Sequence, residues 1–115
     1  MTRQIIMSNL SGNEKLALAE LTSSLKEKWP DAKLILYGSK ARGTGDAESD
    51  MDLLIILPCA VSEGSRHWII SKVFDLNLNY GSNISALIVS DDEWTNGPLS
   101  LLPIHESILE EGVPV

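Results

Sequence analysis

Two short apolar runs, Leu34-Ile35-Leu36-Tyr37 and Leu53-Leu54-Ile55-Ile56-Leu57, flank a polar stretch that opens on Gly38-Ser39 and closes on Asp50-Met51-Asp52. Apolar runs of this length, bounded by turn residues, read as buried strands. The spacing predicts strands over Lys33 to Tyr37 and Asp52 to Leu57, the second ended by Pro58. The chain therefore leaves one strand at a Gly-Ser turn and enters the next through an Asp-x-Asp pair. Both polar features can face the same sheet edge, because Arg42-Gly43-Thr44-Gly45 supplies flexible residues for the return.

The remaining elements follow from periodicity and end signals. Ser11-Gly12-Asn13-Glu14 has the Ser-x-x-Glu form of a capping box. Leu18, Leu21, Leu25 and Trp29 then fall on one helical face, and Pro30 stops the helix, which is expected from about Asn13 to Trp29. Ser62 to Asn77 reads as a second helix with Ile69, Ile70, Val73 and Phe74 inward and Asn79-Tyr80-Gly81 as its exit. Ile84 to Val89 reads as a third strand, apolar throughout after Ser85, as suits a strand covered on both faces. Ser90 or Asp91 can cap a short turn through Trp94, and Asn96-Gly97-Pro98 is a loop signal. Ser100 is the expected cap of a last helix, with Pro103 in its first turn, Leu101, Ile104 and Ile108 as its buried face, and Gly112 as its C′ residue. The order α-β-(turn or short helix)-β-α-β-α describes an α+β fold, a small mixed β-sheet packed with helices, in one domain over residues 1–115.

Composition narrows the function. No apolar stretch approaches the roughly 18 residues that span a bilayer. Met1-Thr2-Arg3-Gln4-Ile5-Ile6-Met7 lacks a signal pattern, so a cytoplasmic location is expected. The net charge is −7, and the nine Lys and Arg are spread thinly, which argues against extended nucleic-acid binding. The single cysteine, Cys59, cannot form an internal disulfide and has no zinc-like spacing; packing at a strand end is its expected role.

Side chains alternate along a strand, so Asp50 and Asp52 project together, with Cα atoms about 6–7 Å apart. Two carboxylates so placed can share one or two Mg²⁺ ions, whose remaining ligands would be phosphate oxygens and water. Alone, the pair is a weak signal and reads better as solvated residues capping a strand end. Gly38 lets backbone amides approach an anion, and Ser39 adds a hydroxyl donor. Alone, that turn reads as an ordinary strand-to-helix connection with Ser39 as N-cap. Arg42 and Lys40 are candidates for phosphate contact, with solvent exposure the competing reading, more so for Lys40. Placed at the ends of two separate strands, the features together point to phosphoryl or nucleotidyl transfer from a nucleoside triphosphate.

Gly38-Ser39, ten residues, then Asp50-Met51-Asp52 resembles the signature of the minimal nucleotidyltransferases of the DNA polymerase beta-like superfamily. Gly38-Ser39-Lys40-Ala41-Arg42-Gly43 is similar to the family's Gly-Ser-x-Ala-Arg-Gly form, and Ser49-Asp50-Met51-Asp52-Leu53 to its Ser-Asp-x-Asp-Leu ending. The ending Ile108-Leu109-Glu110-Glu111-Gly112-Val113 is similar to tails of such proteins. The resemblance implies the polymerase beta-like nucleotidyltransferase fold. It also implies Mg²⁺-dependent transfer of a nucleoside monophosphate, AMP above all, from ATP or another NTP. Gly38, Ser39 and Arg42 would hold the nucleotide; Asp50 and Asp52 would bind the metal and carry catalysis. Family members of this size are often antitoxins of HEPN (higher eukaryotes and prokaryotes nucleotide-binding) toxins. Some add AMP to a tyrosine of the toxin and others neutralise it by binding. Relatives that modify aminoglycosides carry an additional helical domain, for which this chain has no room, so a protein acceptor is the simpler expectation.

The family pattern has a third carboxylate on a later strand. Here its position falls near Ser85, and a hydroxyl cannot replace a carboxylate as general base near neutral pH. Asp91, Asp92 and Glu93 are expected to cap the following turn and Asp75 to be solvated on a helix, while Asp46 or Glu48 could reach the site from the loop. The chain thus reads as an active transferase or as a catalytically weak module that binds nucleotide and partner. His67 and His105 carry no catalytic expectation, Trp68 is the candidate for an interface, and homo-oligomerisation is left open.

Overall fold

The structure, a computed structural model, describes residues 10–43 and 50–115. Helix α1 (Gly12–Lys28) starts with the expected capping box: Ser11 Oγ accepts the Glu14 N–H, and Glu14 Oε1 accepts the Ser11 N–H at 2.8 Å. It buries Ala17, Leu18, Leu21 and Leu25 and ends before Trp29 and Pro30. Strand β1 (Lys33–Tyr37), the single-turn helix α2 (Ser39–Arg42) and strand β2 (Met51–Leu57) follow. Helix α3 (Glu63–Tyr80) crosses to β3 (Ile84–Ser90). Then come α4 (Asp91–Asn96), a 3₁₀ turn (Pro98–Leu101), α5 (Pro103–Glu111) and a two-residue strand β4 (Val113–Pro114).

The four strands form one mixed sheet in the order β3-β2-β1-β4. β1 runs antiparallel to β2 and β4, and β2 runs parallel to β3. Parallel neighbours need a long crossover, which α3 supplies. The fold is α+β, as expected. One face of the sheet (Leu34, Leu36, Met51, Leu53, Ile55, Leu57, Ile84, Ile88) is buried against α1 and α3. On the other, Leu54, Ile56 and Val89 pack beneath Trp94 of α4 and Ile108 of α5. Among the described residues no helix is long and apolar enough to cross a membrane.

Several expectations need correction. On α3 the inward face is Ile69, Val73 and Leu76, while Ile70 and Phe74 are 51% and 61% exposed. Spacings of four and three select one stripe, and residues one step along rotate about 100° away from it. Trp68, the interface candidate, is half-buried: its ring meets Trp29 edge-on at 5.6 Å between centroids, and the Lys28 ammonium sits 4.7 Å from its centre. Ser100 does not cap the last helix; it lies in the 3₁₀ turn and donates to the Gly97 carbonyl at 2.6 Å. α5 starts instead on Pro103, whose fixed φ suits a first helical position. Leu101 is 87% exposed rather than buried, and Cys59 is exposed beyond Pro58. Gly112 does end α5 but in extended conformation, φ −66° and ψ 145°, which sends Val113 and Pro114 alongside β1. A Cβ there would collide with the Ile108 carbonyl oxygen and lie 2.7 Å from Ile35 Cγ2.

Candidate active site

The candidate site lies where β1 ends and β2 begins. Gly38 follows Tyr37 with φ 79° and ψ −157°, a backbone region that residues with a Cβ avoid. The Arg42 N–H then closes one helical turn onto the Gly38 carbonyl at 3.1 Å. Asp52 stands opposite Tyr37 in the antiparallel register. A Cβ on Gly38 would sit 2.5 Å from Asp52 Oδ2, so the turn's backbone lies directly against that carboxylate. Glycine is required here both by the backbone angles and by the approach. Ser39 is the first residue of α2 and is half-buried.

The neighbouring strand is pinned from α3. Asn77 Oδ1 accepts the Ile84 N–H and the Ser82 hydroxyl, each at 2.9 Å, and its Nδ2 donates to the Ile84 carbonyl at 3.2 Å. The Met51 N–H donates to the Asn83 carbonyl at 2.8 Å, joining the starts of β2 and β3. This register sets Ser85 beside Asp52. Tyr37, Asp52 and Ser85 therefore occupy one row across the sheet, on one face, with Asp50 exposed just before β2.

Electrostatics mark the same place. Burial pushes the Asp52 carboxyl above its usual range; the Asp50 carboxylate adds to the shift and the Arg42 guanidinium opposes it. Burial also raises the Tyr37 hydroxyl, with Asp52 contributing second. The sequence-derived set is thus gathered: Gly38 touches Asp52, and Asp50 and Arg42 both act on it. Arg42 also pairs with Glu111 of α5 at 3.1 Å. Lys40, expected to favour solvent, is buried instead and bonded to Glu14 at 3.1 Å. The single turn of α2 faces Lys40 and Ala41 inward, and the Glu14 oxygen left over from the capping box meets the ammonium. Neither that pair nor the Asn77 clamp has a local sequence signal, since each joins elements distant in the chain or uses an unremarkable asparagine.

No cluster of three or more His, Cys, Asp or Glu able to hold a metal occurs among the described residues. Asp50 and Asp52 nonetheless suit Mg²⁺. They are hard oxygen donors, their mutual repulsion is what a divalent cation relieves, and Mg²⁺ commonly takes one or two carboxylates plus substrate phosphates. The row position expected for a third carboxylate holds exposed Ser85. Asp91, Asp92 and Glu93 form the first turn of α4 at the far end of β3, capped through Ser90, and Asp75 is exposed on α3. Asp46 and Glu48 lie outside the described residues. His105 stacks on Trp94, with centroids 4.2 Å apart, and His67 is exposed.

The family described as "Nucleotidyltransferase domain" matches residues 18–113. A protein of Methanocaldococcus jannaschii named "Putative protein adenylyltransferase MJ0604" is 37% identical over 102 residues, covering 87% of this chain and 95% of the relative. Among solved structures, one titled "Structure of putative minimal nucleotidyltransferase" superposes with a TM-score of 0.55 at 23% identity, covering 91% of this chain and 97% of that one. A toxin-antitoxin structure with AMP-PNP gives a TM-score of 0.58 at 14% identity, covering 90% and 72%. A mutant of the toxin-antitoxin MntA-HpeT gives a TM-score of 0.55 at 15% identity, covering 85% and 70%. At these identities the structural likenesses speak for the fold.

Proposed function

The chain belongs to the nucleotidyltransferase domain family, and we propose that it moves a nucleoside monophosphate, AMP first among them, from a triphosphate to a hydroxyl of a partner protein. The observation that carries this reading is the contact of the Gly38 backbone with the Asp52 carboxylate, which joins a phosphate turn to a metal pair. Gly38 and Ser39 bind and orient the triphosphate, and Arg42 faces the same charge. Asp50 and Asp52 would hold Mg²⁺, which neutralises the phosphates and lowers the barrier to attack. A bond forms between the acceptor oxygen and the α-phosphorus. The bond from that phosphorus to the α,β-bridging oxygen breaks, pyrophosphate leaves with the electron pair, and the hydroxyl proton passes to water.

The partner class comes from the relatives. The archaeal relative is named for adenylyl transfer to protein, and two fold neighbours are toxin-antitoxin structures. An all-helical HEPN-type toxin in the same cytoplasm, with this chain acting as a single-domain antitoxin, fits both. Ser85 favours a second reading, in which the chain binds nucleotide and partner but transfers slowly or not at all, because a hydroxyl stands where a base would be.

The test uses α-labelled ATP, Mg²⁺ and a co-expressed partner. Label should move to the partner, and Asp50→Asn should reduce it at least about a thousandfold, a loss of roughly 4 kcal/mol of transition-state stabilisation. Asp50 is exposed, so the exchange leaves the core intact. Neutralisation of the partner with no label transferred would select the second reading.

A further inference from the structure

Across the open end of the sheet three features stand in a fixed order: the Gly38-Ser39 turn after β1, Asp52 on β2, and Ser85 on β3. Transfer at phosphorus needs the incoming and leaving oxygens roughly in line on opposite sides. On the transferase reading, a triphosphate seated on the turn would have its leaving end on the β1 side of Asp52. The incoming oxygen then arrives from the β3 side, where Ser85 stands. Adjacent strands are only about 4.8 Å apart, so a hydroxyl paired with Asp52 lies within reach of an α-phosphorus held there. Ser85 is exposed, and the Asn77 clamp on Ile84 fixes the strand that presents it.

We propose that Ser85 is itself an acceptor, so that the chain nucleotidylates its own β3 when no partner hydroxyl occupies the site. The inference rests on the transferase reading above. Ser85 Oγ bonds to the α-phosphorus, the α,β-bridging P–O bond breaks, pyrophosphate departs with that electron pair, and the serine proton goes to water. With Asp52 engaged by the cation, no side-chain base is assigned to that proton, and the step is slow and single-turnover. The resulting phosphodiester fills the acceptor position, so a modified chain no longer serves a partner.

The experiment incubates the purified full chain alone with Mg²⁺ and ATP and follows intact mass, peptide mapping and released pyrophosphate. One nucleoside monophosphate per chain is expected, mapped to Ser85, with one pyrophosphate released. Ser85→Ala and Asp50→Asn should both stay unmodified, whereas Ser85→Thr, which keeps a hydroxyl, should still be labelled. An adduct on a different residue, or an unmodified chain that still labels its partner, overturns the proposal and leaves the transferase reading standing. Absence of label on both chain and partner removes both.

Discussion

Toward α1 and α3, β2 presents Met51, Leu53, Ile55 and Leu57, all fully buried; toward α4 and α5 it presents Asp52, half-buried, before continuing as Leu54 and Ile56. The helices differ in the same sense. α1 and α3 have 17 and 18 residues and cover the strands from end to end. α4 and α5 have six and nine; beside their cluster Tyr37 and Asp52 stay half-buried and Ser85 is exposed. One strand thus serves a sealed core and the candidate site through side chains that differ by a single step. Stability is expected to reside mainly on the sealed face, and charge to be tolerated on the other because that end is left uncovered.

The largest effect that could break this contrast is a core truncation. Leu21→Ala, at a fully buried position of α1, should cost about 2–5 kcal/mol, the range for such deletions. Ile104→Ala, at a half-buried position of α5, should cost less, about 1 kcal/mol, because its site is already partly solvated. Denaturant unfolding of both variants measures the difference, and equal losses would mean that the two faces contribute alike. Helix α3 offers a sharper contrast within one element. Trp68→Ala removes the edge contact with Trp29 and the Lys28 cation, and should cost about 2 kcal/mol from lost area plus the aromatic pair. Phe74→Ala, on the exposed side, should change stability by no more than about 0.5 kcal/mol. The reverse ranking would put the inward stripe of α3 where the sequence first suggested.

Periodicity and caps made most of the fold legible. The Ser11–Glu14 box, the strand pair around Gly38 and Asp52, and the Ser90 cap of α4 each depend on residues close in sequence. What escaped depends on packing. Ile69-Ile70 and Val73-Phe74 are adjacent apolar pairs, so hydrophobicity alone does not choose which member turns inward. Val113-Pro114 is too short to show a period and becomes a strand only because Gly112 lays it beside β1. Lys40 gave no hint of burial, because its partner Glu14 is already explained as a capping residue. At the site, the signature residues were legible as a set. The row that brings Ser85 beside Asp52 became visible only through the β2–β3 register.

The smallest effect concerns Asp52 itself, and it bears most directly on why the open face is open. Its carboxyl is raised by burial and by Asp50, so the folded chain holds that proton more tightly than the unfolded chain does. Ionised Asp52 therefore lowers stability above its folded pKa, and the penalty fades as pH falls through that value toward the ordinary carboxylate range. Asp52→Asn should melt at a slightly higher temperature than wild type near pH 7, and the two curves should converge in acid. Added Mg²⁺ should raise the wild-type melting temperature at pH 7 and leave the variant nearly unmoved, because a ligand that binds only the folded chain stabilises it by mass action. A variant less stable than wild type near neutral pH would mean that Asp52 is held by compensating bonds and that this face is closed after all. A stabilised variant that has lost transfer would locate at one carboxylate the conflict between keeping the sheet end apolar and keeping it reactive.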